Sequence, residues 1–549
     1  MHRAAPLPVR RVGPGASHLV RFLIVSLPFF LLLLLLLPVV DIGNLFTGAA
    51  DPQLSTPPPI TRLRTLDAMD EESCGREAMA ALGVVLRAVP WLQPPDGFFA
   101  VDVFSMGEQH ADVALSGRAV SNHTILHAVV RRSTSRHHVV LFGPLPTDAD
   151  GEGFAVQLLL TWVGPRFLGQ RWWLPPRNNN PPFAVRRQTC LGVELSGRCE
   201  QFGVTIYNGT WKGSGAGARA GHAAVSCTGQ WGNIEQGHWR RLSPAAEQDV
   251  AVRRLLLDDI GLNQFNDGWW WWRAHACKSH VRDKADAFVC MRQRHVRTIT
   301  LVGDSMMVEW FYMFVQLLSG AEKQEDLQKL VRARKWGQGL RARTLEYTAA
   351  WSDGREDSRV TVRLYRSYTT KHGRSVMLSP SMIVKQLMTS VWDEHDEGQL
   401  LLMNLAQLHF QQSMYTEESW AAFLSEFAEL YYCHVVLRHD QCDAVAKEEG
   451  NMTTTATASP RPSAFFVGPS LIQMGRTQGL EPMRTQAFAH TARTLLERVG
   501  ITFLGFPHAV TAARRESAFD GQHWACYHQH GGVAQMLVQT FLAGFCPAV

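Results

Sequence analysis

Ile299-Thr300-Leu301-Val302-Gly303-Asp304-Ser305 is an apolar, β-branched run that stops at a glycine, an aspartate and a serine. Met306, Met307, Trp310, Phe311 and Phe314 follow at helical spacing, so the stretch reads as strand, tight turn and helix. A serine at such a turn stands at the carboxyl edge of a sheet and at a helix N-terminus, where backbone N–H groups and the helix dipole favour an oxyanion. Around it, strand-like runs at 298–302, 360–365, 400–405, 434–437, 464–467 and 501–503 alternate with helical patterns at 308–318, 418–430, 483–499 and 533–545. That alternation predicts an α/β region with a mostly parallel sheet covered by helices, and catalytic groups at the strand ends.

What the serine lacks lies far downstream, in Asp520-Gly521-Gln522-His523-Trp524. An imidazole must take the hydroxyl proton and a carboxylate must hold the imidazole in its working tautomer; His523 and Asp520 are the candidates. Each half alone is an ordinary turn or helix-start pattern, and it is their order around one α/β region that gives them weight. His523, Cys526, His528 and His530 also read as a metal cluster. No metal site is expected there, because Cys526 suits a disulfide and His523 has a role beside the serine.

These segments, with Cys227-Thr228-Gly229-Gln230-Trp231, the tryptophan run 269–272, Cys277 and Cys290 ahead of them, resemble the SGNH/GDSL hydrolase superfamily. The closer similarity is to its PC-esterase branch, which includes the plant trichome-birefringence-like acetyltransferases and the neurexophilin-and-PC-esterase proteins. The resemblance implies an SGNH-type three-layer sandwich over 291–549 and a catalytic triad of Ser305, Asp520 and His523. It also implies an oxyanion hole built from the Ser305 backbone and Asn404, which sits in the strand-like run 401–410. The family's oxyanion glycine has no clear counterpart, Gly373 being the candidate, and the arginine that follows the serine in plant members is replaced by Met306-Met307-Val308-Glu309.

At 549 residues and 46% hydrophobic, the chain can bury more than one core. Its net charge of +5 is partly owed to Arg3, Arg10, Arg11 and Arg21, and the balanced remainder carries no nucleic-acid footprint. Segment 22–40 has no charged residue and is close to the roughly 20 residues that span a bilayer, so it predicts a transmembrane anchor behind a cytoplasmic tail, 1–21, the alternative being a signal peptide cleaved near Thr47-Gly48-Ala49-Ala50. A stem follows over 41–95, containing a predicted helix at 68–89. An immunoglobulin- or filamin-like β-sandwich is expected over 96–175, where runs rich in Val, Leu and Phe are punctuated by Gly and Asp. Segment 176–290, rich in Cys and Trp, is expected to wrap the catalytic domain at 291–549. Its tryptophans could offer sugar-stacking faces, although tryptophans in such loops more often plug a core. All ten cysteines lie beyond 22–40, as suits a disulfide-forming compartment; Cys190 with Cys199, and Cys433 with Cys442, are spaced to close short loops. Sequons at Asn122, Asn208 and Asn451 fit the same location.

With this topology, the resemblance implies luminal, serine-dependent acyl transfer, acetyl above all, to glycan hydroxyls by a single-pass type II protein of the Golgi or another secretory-pathway membrane. No bound cofactor is expected, acetyl-CoA or another acyl donor entering as substrate. An esterase of the same fold is one alternative, and a non-catalytic luminal adhesion protein that uses the β-sandwich is another.

Overall fold

A computed structural model describes residues 85–95, 97–106, 111–134, 136–146, 149–165, 187–189, 192–194, 204–212, 226–241, 270–279, 281–321, 327, 329–335, 343–350, 359–371, 374–391, 398–412, 415–436, 463–470, 482–514, 523–524 and 532–547. The first strands are β1 (Leu86–Pro90), β2 (Phe99–Ser105), β3 (Ala111–Val120), β4 (Thr124–Thr134), β5 (His137–Phe142) and β6 (Gly153–Pro165). After a small hairpin of β7 (Arg187–Thr189) and β8 (Gly192–Glu194) come β9 (Val204–Lys212), β10 (Gly237–Arg241) and β11 (Trp270–Ala274). Seven of these lie in the order β1-β2-β5-β4-β3-β6-β9, and β10 joins through β4 and carries β11. Every pairing in this sheet is antiparallel. Register shifts at Ala114/Leu115, Arg132/Thr134 and Leu158/Leu159 increase the local twist, and the sheet curls until β1 approaches β9. Its interior is filled by Phe99, Val101, Val103, Val140, Phe142, Phe154, Val156 and Leu158.

The second sheet runs β13-β14-β15-β12-β18-β19-β20, from β12 (Thr298–Gly303), β13 (Arg332–Lys335), β14 (Arg343–Ala350), β15 (Arg359–Arg366), β18 (Gln399–Met403), β19 (Ser463–Val467) and β20 (Thr502–Leu504). A hairpin of β16 (Tyr368–Lys371) and β17 (Arg374–Met377) stands outside it. Parallel pairing links β15, β12, β18, β19 and β20, whereas β13 and β14 pair antiparallel at the edge. The connections 336–342 and 351–358 are shorter than the dozen or so residues a parallel crossover needs, so those strands must fold back as hairpins.

Strand β12 is buried along its whole length, as a central strand covered on both faces must be. Ile299 and Leu301 face one core, with the helices Ser305–Ser319 and Gly532–Phe545; Val302 faces the other, with Pro380–Val391, Glu417–Leu430 and Pro482–Leu496. Two disulfides brace the first core. Cys227–Cys277 closes the segment that carries β10 and β11, and Cys290–Cys546 ties the helix Lys284–Gln293 to the end of the chain's last helix. Trp231 stacks on Phe541 of that helix and meets Phe465 edge-on, while Gly544 leaves the room that its ring occupies.

These findings overturn the expected fold class, an SGNH-type, mostly parallel three-layer sandwich preceded by an immunoglobulin-like β-sandwich, whereas the transmembrane helix expected with it falls outside the described residues. The first sheet is a curled, near-barrel antiparallel sheet that recruits β10 and β11, and the second sheet is mixed. Alternating apolar residues report antiparallel strands but not whether they split into two layers or curl as one; bulges decide that, and they leave no composition signal. Among the described residues no helix is long and apolar enough to cross a membrane, and segment 22–40 lies outside them. Two local readings also change. The end of the helix expected at 68–89 is strand β1, and the strand expected at 434–437 is a π-helical continuation, Tyr431–Val436, of the helix before it.

Candidate active site

Ser305 opens the helix Ser305–Ser319 directly after β12. Asp304 is its N-cap and is fully buried; its Oδ1 accepts from Met306 N at 3.0 Å, satisfying one of the N–H groups that a helix start leaves without a partner. The same oxygen accepts from Asn404 Nδ2 at 2.8 Å, and Asn404 Oδ1 accepts in return from Asp304 N at 3.2 Å. Asn404 therefore grips the turn that presents the serine. It also takes a hydrogen bond from Ala406 N at 3.0 Å, which supports Leu405 and Ala406 in the left-handed region with φ of 51° and 54°.

Gly303 is the residue that lets this happen. A Cβ there would run into Asn404 Oδ1 and Met307, so only glycine allows Asn404 to reach Asp304. Gly303→Ala is expected to cost about 1–3 kcal/mol of stability by overpacking and to lower activity further by shifting the serine turn. A thermal melt together with a rate on an activated acetyl ester measures both. Asn404→Ala removes both the grip on Asp304 and the support at Ala406, and is expected to lower turnover by about 10²–10³ with a lower melting temperature as well; an unchanged melt would leave Asn404 without the structural role described here.

His523 is buried, and its Nε2 lies 2.7 Å from Ser305 Oγ, 218 residues away in sequence. Its neighbour Trp524 is fully buried and helps to anchor it, with the indole N–H pointing to Arg514 O at 3.4 Å. Arg514 in turn lays its guanidinium over Trp239, 5.1 Å from the ring centroid, and Trp239 donates to Val510 O at 2.8 Å. The first sheet thus positions the histidine of the second through β10.

Ser305, Asn404 and His523 are therefore brought together, while Asp520 lies outside the described residues, as do Gly373, Cys526, His528 and His530. Among the described residues no group of three or more His, Cys, Asp or Glu could hold a metal ion. In the tryptophan run, Trp270 and Trp272 are buried in the core and Trp271 is partly exposed beneath the Arg273 guanidinium, so two of these rings plug the interior. Asn122 and Asn208 are exposed, and Asn451 falls outside the described residues. Cys433 is disulfide-bonded, whereas Cys190, Cys199 and Cys442 are outside the description. Sequence reasoning missed Asp304 as a helix cap, although an acidic residue directly before an apolar helix is its usual signature. Nor did it single out Arg366, the last residue of β15, or Ser367 and Tyr368 after it, whose only signal is their place at the end of a β-branched run.

No protein-family model matches this chain, and no curated protein matches it significantly.

Proposed function

We propose that this protein is a serine-dependent acyltransferase that moves an acyl group, acetyl above all, onto a glycan hydroxyl. The observation that carries the reading is the 2.7 Å contact between His523 Nε2 and Ser305 Oγ at a helix start and at the carboxyl end of a central strand. Chain order adds to it, since β12 sits where the path turns from β15 on one side to β18 on the other, and such switch points open a crevice for ligands. Gly303-Asp304-Ser305 and His523 are also the residues that carry the resemblance to the PC-esterase branch.

In the first step His523 Nε2 takes the Ser305 proton as Oγ attacks the acyl carbonyl. The Ser305 N–H at the helix start and the second amide hydrogen of Asn404 are the donors for the resulting oxyanion. Collapse breaks the bond to the leaving group, which receives the proton from His523 and departs, leaving an acyl ester on Ser305. In the second step His523 accepts the proton of an incoming hydroxyl, that oxygen attacks the acyl-serine, and Ser305 regains its proton. A sugar hydroxyl as acceptor makes the enzyme a transferase and water makes it an esterase, so exclusion of water decides the outcome. Asp520, three residues before His523, is proposed to orient the ring. The braced disulfides favour an oxidising compartment, and the Golgi lumen is the proposed location.

The test is incubation of the purified protein with acetyl-CoA, p-nitrophenyl acetate and a fluorophosphonate probe, followed by peptide mass spectrometry. An acetyl or phosphonyl adduct on Ser305 that is lost in His523→Ala is the expected result. Absence of any adduct on Ser305 with all three reagents would sink the proposal and favour a non-catalytic binding role.

A further inference from the structure

Resting on the acyl-transfer reading, we infer that Arg366 forms an anion-binding subsite beside Ser305, so that one of the two substrates carries a carboxylate or phosphate group close to its reacting centre. Arg366 ends β15 and is the registered partner of Gly303, on a strand about 4.8 Å away. Val362 and Leu364 of β15 pack in the same core as Ile299 and Leu301, and Arg366 continues that alternation. Arg366 and Gly303 thus share one row, on the face covered by the helix that Ser305 begins, and Asn404, directly after β18, reaches the same turn through its hydrogen bonds with Asp304.

An arginine in this place should be neutralised by a carboxylate if its role were structural. Among the described residues it has no ion-pair partner. Its Nε is buried without a hydrogen bond, and its one polar contact is a long one, 3.5 Å from Nη1 to the Tyr368 hydroxyl. Its guanidinium also lies over the Tyr368 ring at 5.8 Å. The charge is felt by Tyr312, two turns into the same helix, whose phenol burial pushes up to about 12 and which Arg366 pulls back. Two further polar atoms around the serine turn are buried without a partner: Asp304 Oδ2, and Ser367 Oγ, whose backbone N–H binds Gly303 O at 3.1 Å. Buried polar groups in a folded protein are usually satisfied, and at this turn, beside the serine, substrate or water can complete these three.

Tyr368 supplies the wall of this subsite. Its ring lies 4.1 Å from that of His409, although Tyr368 follows β15 and His409 belongs to the short helix Gln407–Gln412 after β18. Those two strands flank β12, so the pair arches across the end of the strand that presents Ser305. Arg366 as a residue is partly exposed, and apart from the long contact of Nη1 with Tyr368 its guanidinium keeps donors to offer. Two N–H groups in a planar fork match a carboxylate or a phosphate edge, and neither a neutral sugar nor a bare acetyl group would use them.

The test is calorimetric titration of the full-length chain carrying Ser305→Ala, which reads binding without turnover, with two pairs of probes. Glucuronate against glucose asks whether the anion is an acceptor carboxylate; coenzyme A against pantetheine asks whether it is a donor phosphate. At least one anionic probe is expected to bind about tenfold or more tightly than its neutral counterpart, the worth of one charged hydrogen-bonded pair. Adding Arg366→Gln should erase that difference, and Arg366→Lys should keep part of it. If neither anion outbinds its neutral partner, or if Arg366→Gln leaves the preference intact, the subsite is overturned. Should the glutamine variant fail to fold, the preference of the parent chain and its reduction in Arg366→Lys decide. Serine labelling in the unmutated chain is a separate measurement, so failure of the acyl-transfer reading is distinguishable from failure of this one.

Discussion

Ser305→Ala and His523→Ala are each expected to lower turnover by about 10⁴ or more, and the double variant should be hardly slower than either single one. The reason is the single 2.7 Å contact that joins them: without the hydroxyl the imidazole has no proton to take, and without the imidazole the hydroxyl is a poor nucleophile. On the proposed mechanism, any residual rate would come from the oxyanion donors and from substrate binding, which both single variants would keep. Ser305→Ala removes one partly exposed oxygen and should leave the melting temperature nearly unchanged. His523 is buried, so His523→Ala should lower it modestly. Steady-state rates on one activated ester across the four proteins of the cycle give the answer. Full activity in Ser305→Ala would make the serine structural, and multiplicative losses in the double variant would mean that the two residues do not act as a unit.

Acid should unfold this protein through two buried histidines, His127 and His508. Burial holds His127, on β4, down to about 3, with His508 and then His275 adding repulsion and a hydrogen bond to the Gly237 backbone acting against them; burial alone holds His508, in the helix Phe506–Ala512, to about 4. Both folded values lie below the ordinary histidine value of about 6.5, so the unfolded chain binds protons first. Their stabilisation is therefore complete above about pH 6.5 and is lost as the pH falls toward 4. Both residues keep a partly exposed edge, which reduces the effect, and the combined loss by pH 4 is on the order of 3–5 kcal/mol. Denaturant midpoints measured between pH 7 and pH 4 should fall accordingly, and His127→Gln with His508→Gln should flatten the slope. A midpoint that holds steady to pH 4 in the parent chain would mean that these rings are not buried as described. The helix that carries His508 leads through Arg514 toward His523, so activity should disappear together with this part of the fold.

The serine turn was legible because it is local. A β-branched run, a glycine and an aspartate at a helix cap fix strand, turn and helix within a few residues, and the structure has β12 and the helix Ser305–Ser319 there. The helices Glu417–Leu430, Pro482–Leu496 and Gly532–Phe545 were readable for the same reason, since apolar spacing over three or more turns outweighs local ambiguity. The run 434–437 misled because so short a run satisfies either period, and burial of Val435 in the core that holds the preceding helix goes with the helical continuation. The hand and direction of β13 and β14 depended on the length of their loops, which the alternation of elements concealed.

Sequence by itself determined which atoms could do chemistry: a hydroxyl at a helix start, an imidazole far downstream, and cysteines enough to brace them. Only the tertiary structure decided that Ser305 and His523 meet, that Asn404 grips Asp304, and that Arg366 stands in register with Gly303 beside that turn. It likewise decided that the first sheet curls where two layers were expected, and that its β10 anchors the histidine through Trp239, Arg514 and Trp524. The physical reason is range. Propensity, capping and periodicity act over a few residues, whereas strand register, bulges and the pairing of groups more than two hundred residues apart are settled by packing across the whole chain.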